Sequence, residues 1–246
     1  VKYEMLDRQA MAELLPGLGP DVVGGCYSPA DGHVNPLALL RGLHQGLLAK
    51  GGRIESGGRV TAINRRGASF AIETAKATYH GPRLVLAAGL GTKPLAAMLG
   101  MTIPVRPVRG QLLVTERIKP FLPMPLSKVR QTAEGSVQLG DSQEETGFDD
   151  GTSSNVMNQI AARAVRMFPH LRQARIVRAW GALRVMAPDT YPIYEQSAEH
   201  PGAFAAVCHS GVTLAAAHVL HLAEAIAEAS LPEALAPMSA RRFADA

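Results

Sequence analysis

Leu84-Val-Leu-Ala-Ala-Gly-Leu-Gly-Thr-Lys-Pro94 decides the fold class. A short apolar run closes on Gly89 and Gly91, and a helix is expected to open near Thr92. An uninterrupted run of this length predicts a strand buried on both faces, as in a parallel sheet. A strand that turns through glycines into a helix is one α/β unit. The turn has two glycines, with Pro94 where a dinucleotide cradle needs a third, so it is not a full pyrophosphate fingerprint.

Upstream, Asn35 is placed to cap a helix with Pro36 at its first position. That helix carries Leu37, Leu40, Leu43, Leu47 and Leu48 at core-facing helical spacing and ends at Gly51-Gly52. Asp7 caps an earlier short helix that Pro16 stops. Residues 59–63 and 69–73 flank Arg65-Arg66-Gly67 as a hairpin. Downstream, residues 104–116, 137–140, 176–186 and 204–208 read as strands, and 152–168 and 212–229 as helices. Helix–strand units at both ends of a strand-rich middle predict an α/β layer with an α+β domain inserted.

The chain has 246 residues, 47% hydrophobic and 19% charged, which excludes a disordered tail and allows a full core. The net charge of +4 is spread without a basic run, so no nucleic-acid partner is expected. Cys26 and Cys208 have no metal spacing and are expected to be buried, reduced thiols of a cytoplasmic protein. The longest apolar stretch is broken by His218, His221, Glu224 and Glu228, so no transmembrane segment is expected. The opening at Val1 and its mid-protein character predict a piece of something longer.

Four features test for chemistry. The acidic stretch Asp141, Glu144, Glu145, Asp149 and Asp150 lacks calcium-loop spacing and reads as a solvated loop. His218, His221 and Glu224 share a helical face that could hold zinc, but an amphipathic helix with Ala215, Val219, Leu222 and Ile226 as its apolar stripe explains them. No metal is expected. Ser210 or Gly211 is placed to cap the last helix, whose start favours an anion or is a plain cap. Arg184 sits in an apolar strand, where it meets a ligand carboxylate, an internal acid or an edge.

Several loose motifs follow one another at plausible spacing. They are Gly32-His-Val-Asn-Pro36, Val85-Leu-Ala-Ala-Gly89, Arg109-Gly-Gln111, the 140–148 segment, Pro169-His-Leu171, residues 180–192 and His209-Ser-Gly211. As an ordered set they resemble the flavin-dependent amino-acid oxidoreductases of the D-amino acid oxidase and glycine oxidase type. Bacterial D-amino acid or hydroxyproline dehydrogenases and flavin subunits of heteromeric enzymes are similar. The resemblance implies FAD as cofactor and a three-layer FAD-binding domain, here partial, interleaved with a strand-rich substrate-binding domain. Residues 1–35 and 92–190 would form the latter, and 36–91 and 191–246 the former.

By the same resemblance, Val60 meets the adenine with its backbone, and Ala87, Ala88 and Gly89 pass close to the cofactor. Ser210, Gly211, Val212, Thr213 and Leu214 face the flavin's pyrimidine edge, and Arg184 takes the carboxylate of an amino acid or amine substrate. The implied reaction is hydride transfer from the substrate α-carbon to FAD, giving an imine that water hydrolyses. No catalytic residue is named. Thr190 and Glu195 stand where the family usually has glycines, and residues 90–92 lack its usual aromatic. The family's first strand, its Gly-x-Gly-x-x-Gly turn and its ribose-binding acid are not in the sequence, which implies an enzyme whose N-terminal third is absent here or is supplied by a second chain. The alternative is a non-catalytic subunit or binding module that kept the fold and lost the flavin.

Overall fold

A computed structural model of the protein describes residues 2–244. The chain runs β1 (Glu4–Asp7), α1 (Arg8–Leu14), β2 (Gly24–Tyr27), α2 (Pro36–Ala49), β3 (Val60–Arg66), β4 (Ser69–Thr74), β5 (Thr78–Gly81) and β6 (Leu84–Leu86). It continues through α3 (Thr92–Ala97), β7 (Arg106–Arg117), β8 (Val129–Gln131), β9 (Ser136–Leu139), α4 (Ser154–Met167) and β10 (Ile176–Met186). Then follow β11 (Ile193–Gln196), β12 (Ala203–Val207), α5 (Ala215–Ala217), a π-helical turn (His218–Leu222) and α6 (Ala223–Glu228). The fold is mixed α/β with several sheets. Among the described residues no helix is long and apolar enough to cross a membrane.

The chain divides into two compact units, Val1–Arg53 with Arg109–Leu183, and Ile54–Val108 with Arg184–Ala246. Boundaries placed by motif after residues 35, 91 and 190 thus differ from those of the structure, which follow Arg53, Val108 and Leu183.

In the first unit, a sheet of order β10-β7-β9-β8 packs with α4 around Leu113, Val137, Leu139, Ile160 and Phe168. Both upstream caps form as read. Asp7 Oδ1 accepts the Ala10 N–H at 2.9 Å, and Asn35 Oδ1 accepts those of Leu37 and Ala38 at 3.1 and 3.2 Å. The leucines of α2 do not make a core, however. Leu37, Leu40, Leu43, Leu47 and Leu48 are 46–77% exposed, and the helix has no buried residue. Capping and spacing act within the helix, whereas burial needs a second surface. Cys26, expected buried, is exposed because the β1–β2 ribbon is only two strands wide.

The acidic stretch is not simply a solvated loop. Gln111 on β7 is fully buried; its Nε2 donates to both Glu144 oxygens at 3.0 and 3.1 Å, and its Oε1 accepts the Ser153 N–H at 2.9 Å. Ser142 Oγ donates to Glu144 Oε1 at 2.6 Å, and Arg109 Nη2 reaches Glu144 Oε2 at 2.7 Å while Nη1 pairs with Asp149. The loop therefore folds onto β7. It also crosses β10 so closely that a Cβ at Gly181 would stand 2.4 Å from the carbonyls of Asp150 and Gly151.

In the second unit, β12 pairs antiparallel with β11 and parallel with β6, Ala203 lying opposite Leu84. A separate antiparallel sheet, β3-β4-β5, extends the expected hairpin by one strand. Ile63, Phe70, Leu86, Leu99, Ile193 and Val207 form the core. The run Leu84–Leu86, expected to be buried on all sides, is instead the edge of its sheet, with Leu86 buried and Val85 38% exposed.

Arg109 first, then Ser142 and Gln111, hold the Glu144 carboxyl below its ordinary value of 4.5 against the opposing effect of burial. A carboxyl whose pKa is lowered by folding stabilises the fold above its unfolded value, and that contribution is lost as pH falls through the folded value. Urea unfolding should therefore show wild type losing more stability than Glu144→Gln between about pH 5 and pH 3. Parallel losses in the two proteins would remove Glu144 from the account.

Candidate functional site

Parallel strands deliver the residues that follow them to the same edge of a sheet, where open α/β sheets bind ligands. Here β6 and β12 end together. Ala87, Ala88 and Gly89 issue from one strand, and Cys208, His209 and Ser210 from the other. A cleft of about 420 Å³ opens beside these ends, lined among others by Val85, Ala87, Gly89, Cys208, His218 and Leu222.

The turn after β6 is built for close approach. Ala87 and Ala88 are exposed and carry a single methyl each. Gly89 has φ +58°, a conformation open to glycine, and a Cβ there would lie 3.3 Å from Val185 Cγ2. The Ala88 N–H donates to Thr92 Oγ1 at 3.1 Å, and Thr92, fully buried, opens α3. The strand–turn–helix unit thus forms where the sequence placed it.

The segment after β12 departs from expectation. Ser210 does not cap the helix with its side chain; Leu214 is the N-cap residue, and its N–H donates to the Ser210 carbonyl at 3.0 Å. Ser210 Oγ lies instead 3.2 Å from His209 Nδ1. Residues 211–214 form a turn, so the helix begins later than the glycine suggested. The Leu214 amide is thereby removed from the donors expected for an anion.

The expected apolar stripe holds at Leu222, which is buried, and at Ile226, which lines the cleft, but not throughout. Val219 is 70% exposed, whereas His218 faces inward with Nε2 at 2.8 Å from the Tyr194 hydroxyl. The π turn at His218–Leu222 accounts for this, because one wider turn shifts the phase of a 3.6-residue pattern. Among the described residues no group of three His, Cys, Asp or Glu could hold a metal. Burial pushes up the Tyr194 hydroxyl, helped by Cys208, and it pushes up the Cys208 thiol as well. The Tyr194 hydroxyl and the Cys208 thiol are thereby held in their neutral forms at neutral pH. Tyr194 carried no motif, and His218 was read only with His221 and Glu224, so nothing in the sequence signalled their pairing.

Val60 and Arg184 belong to the same unit but not to the lining of the cleft. Val60 opens β3 at a register shift and packs partly against the core. Arg184 is half-buried near the end of β10, next to the Val185 that abuts Gly89.

Residues 1–225 match the DAO family, described as FAD dependent oxidoreductase. The chain is 42% identical over 241 residues to one of the subunits of opine oxidase from Rhizobium meliloti, covering 98% of this chain and 65% of that protein. It is 30% identical over 247 residues to hydrogen cyanide synthase subunit HcnC of Pseudomonas aeruginosa, covering 97% and 59%. The fold is similar to that of glycine oxidase from Geobacillus kaustophilus, with a TM-score of 0.88 at 24% identity over 97% of this chain and 66% of that one. It is similar too to L-proline dehydrogenase from P. horikoshii, with a TM-score of 0.89 at 18% identity over 99% and 69%. The chain thus spans about two thirds of the relatives it matches.

Gly89→Ala should destabilise the protein by about 1–2 kcal/mol, the cost of a left-handed residue bearing a Cβ. Gly91→Ala is the control, since Gly91 has helical φ and the nearest atom to its Cβ position is 3.6 Å away. Thermal or urea unfolding of the two variants checks this, and equal effects would deny Gly89 its special place.

Proposed function

The chain belongs to the DAO family of FAD dependent oxidoreductases, and we propose that it is the substrate-facing part, with part of the flavin site, of an enzyme oxidising an amino acid or secondary amine. The observation that carries this reading is the Ala87–Gly89 turn, small, exposed and left-handed at Gly89, at the carboxyl end of a parallel strand. These residues fit FAD, because a planar cofactor can approach two alanine methyls and a glycine that larger side chains would hold off. Val60 would offer its backbone to the adenine, and Ser210, Gly211, Val212 and Thr213 would face the flavin's pyrimidine edge. Leu214 contributes to that wall with its side chain, its amide being taken.

When bound, FAD supplies the two-electron oxidation of a CH–NH group, the α-carbon hydrogen leaving as hydride and water hydrolysing the imine. The chain's own residues orient and enclose. Arg184 presents a planar guanidinium that can take a substrate carboxylate with two parallel hydrogen bonds. That pairing fixes the α-carbon relative to the Ala87–Gly89 turn, since Val185 abuts Gly89. The cleft around Cys208 and His218 opens at the same sheet edge as that turn. An amine that loses its proton on entry needs no base from this chain.

The opine oxidase relative and HcnC are both described as subunits. In the same way, this protein works as one subunit beside a second polypeptide. That partner accounts for the uncovered leucines of α2, which otherwise face water.

The intact gene product, purified with any partner that accompanies it, should show flavin absorbance near roughly 450 nm. Arg184→Ala should then raise the Michaelis constant about 30-fold or more with kcat largely retained, as losing a desolvated charge pair costs at least about 2 kcal/mol. Colourless protein would favour a binding module that lost the flavin, and an unchanged Michaelis constant would remove Arg184 from the substrate site.

A further inference from the structure

The family match ends at residue 225, yet the residues beyond it return to the turn that ends β10. Glu195, only 8% exposed on β11, receives this tail: Ser239 Oγ donates to its Oε2, and so does the Ala240 N–H at 2.8 Å. Two residues on, Arg242 grips Asp189 with both arms of its fork, Nε to Oδ2 at 2.7 Å and Nη2 to Oδ1 at 3.1 Å. The same Nη2 donates to the Pro192 carbonyl at 3.1 Å, and Nη1 to the Ser239 carbonyl at 3.0 Å. The guanidinium lies 4.3 Å over the Phe243 ring, which packs against the core.

What the fork grips is strained. Thr190 has φ +69°, a left-handed conformation costly for a β-branched residue. The turn is closed from within by two hydrogen bonds, Thr190 N–H to the Ala187 carbonyl at 3.1 Å and Tyr191 N–H to Asp189 Oδ1 at 3.1 Å. Strained residues persist where their surroundings over-determine them. The added restraint here comes from Arg242, and Asp189 stands five positions after Arg184 in the sequence.

We propose that Arg242 is a positioning residue of the flavin site: by clamping the Asp189–Pro192 turn from the tail, it fixes the end of β10 that carries Arg184 and Val185. The proposal rests on the reading of Arg184 as the carboxylate anchor. A bidentate fork sets direction as well as distance, which a lysine ammonium does not.

Amide hydrogen exchange of the full chain, read on peptides covering residues 184–193, tests the clamp without flavin. Arg242→Ala should speed exchange there by about tenfold and leave β12 unchanged; Arg242→Lys should not restore protection. Adding Thr190→Gly to Arg242→Ala should return much of it, since the strain is gone. Unchanged exchange in Arg242→Ala, or no rescue by Thr190→Gly, overturns the clamp. In the flavin-loaded enzyme with its partner, Arg242→Ala should raise the Michaelis constant by about tenfold with kcat retained. If Arg184→Ala raises it and Arg242→Ala does not, the positioning role falls while the site reading stands. If Arg184→Ala itself has no effect, the reading of the site fails and this proposal fails with it.

Discussion

A parallel pair of strands cannot be closed by a tight turn, and that constraint organises the chain. β6 and β12 lie side by side in parallel register although nearly half of the sequence separates Leu86 from Ala203. The chain must leave the sheet and come back. On its way it completes, with residues 1–53, the unit whose core holds Leu113, Val137 and Phe168. Because both strands point the same way, the Ala87–Gly89 turn and the Cys208–Ser210 segment emerge together. The small side chains of the first and the neutral thiol of the second then define one cleft rather than two unrelated loops.

Much of this was legible because it is local. Asp7, Asn35 and Pro36 each state a helix start in a few residues, and β7, α4 and β10 are long enough for their periodicity to speak. β1, β2, β5, β8 and β11 have four residues or fewer, too short for an alternation to emerge. The Gly89 turn was readable from its glycine. By contrast, Glu144 meets its partner Arg109 across 35 positions, so its loop looked merely acidic. His218 faced the wrong way in the sequence reading because a π turn breaks the period on which that reading depended. The leucines of α2 have the right spacing, but spacing cannot say whether a second surface exists.

Both units use the same device in their interiors. Glu144 in one and Glu195 in the other are carboxylates withdrawn from water and satisfied by neighbours distant in sequence. Such groups add little net stability against a well-packed apolar alternative, yet losing one partner leaves the other poorly satisfied. Their effect is to select one path for the chain segment they hold. Glu144 selects the path of the loop over Gly181, and Glu195 that of the C-terminal tail. The resemblance puts glycines at positions 190 and 195. Thr190 keeps the left-handed backbone that a glycine would adopt freely, and Glu195 uses its side chain to bind the tail.

A helix that buries none of its residues draws no stability from packing. α2 has 14 residues fastened by Asn35 at one end and a left-handed Gly51 beyond the other, and an isolated helix of that length is marginal in water. Any surface that covers its leucines only when the helix is formed adds free energy that grows with the logarithm of that surface's concentration. The melting point of this segment is therefore set by the composition of the solution around it as much as by its own sequence.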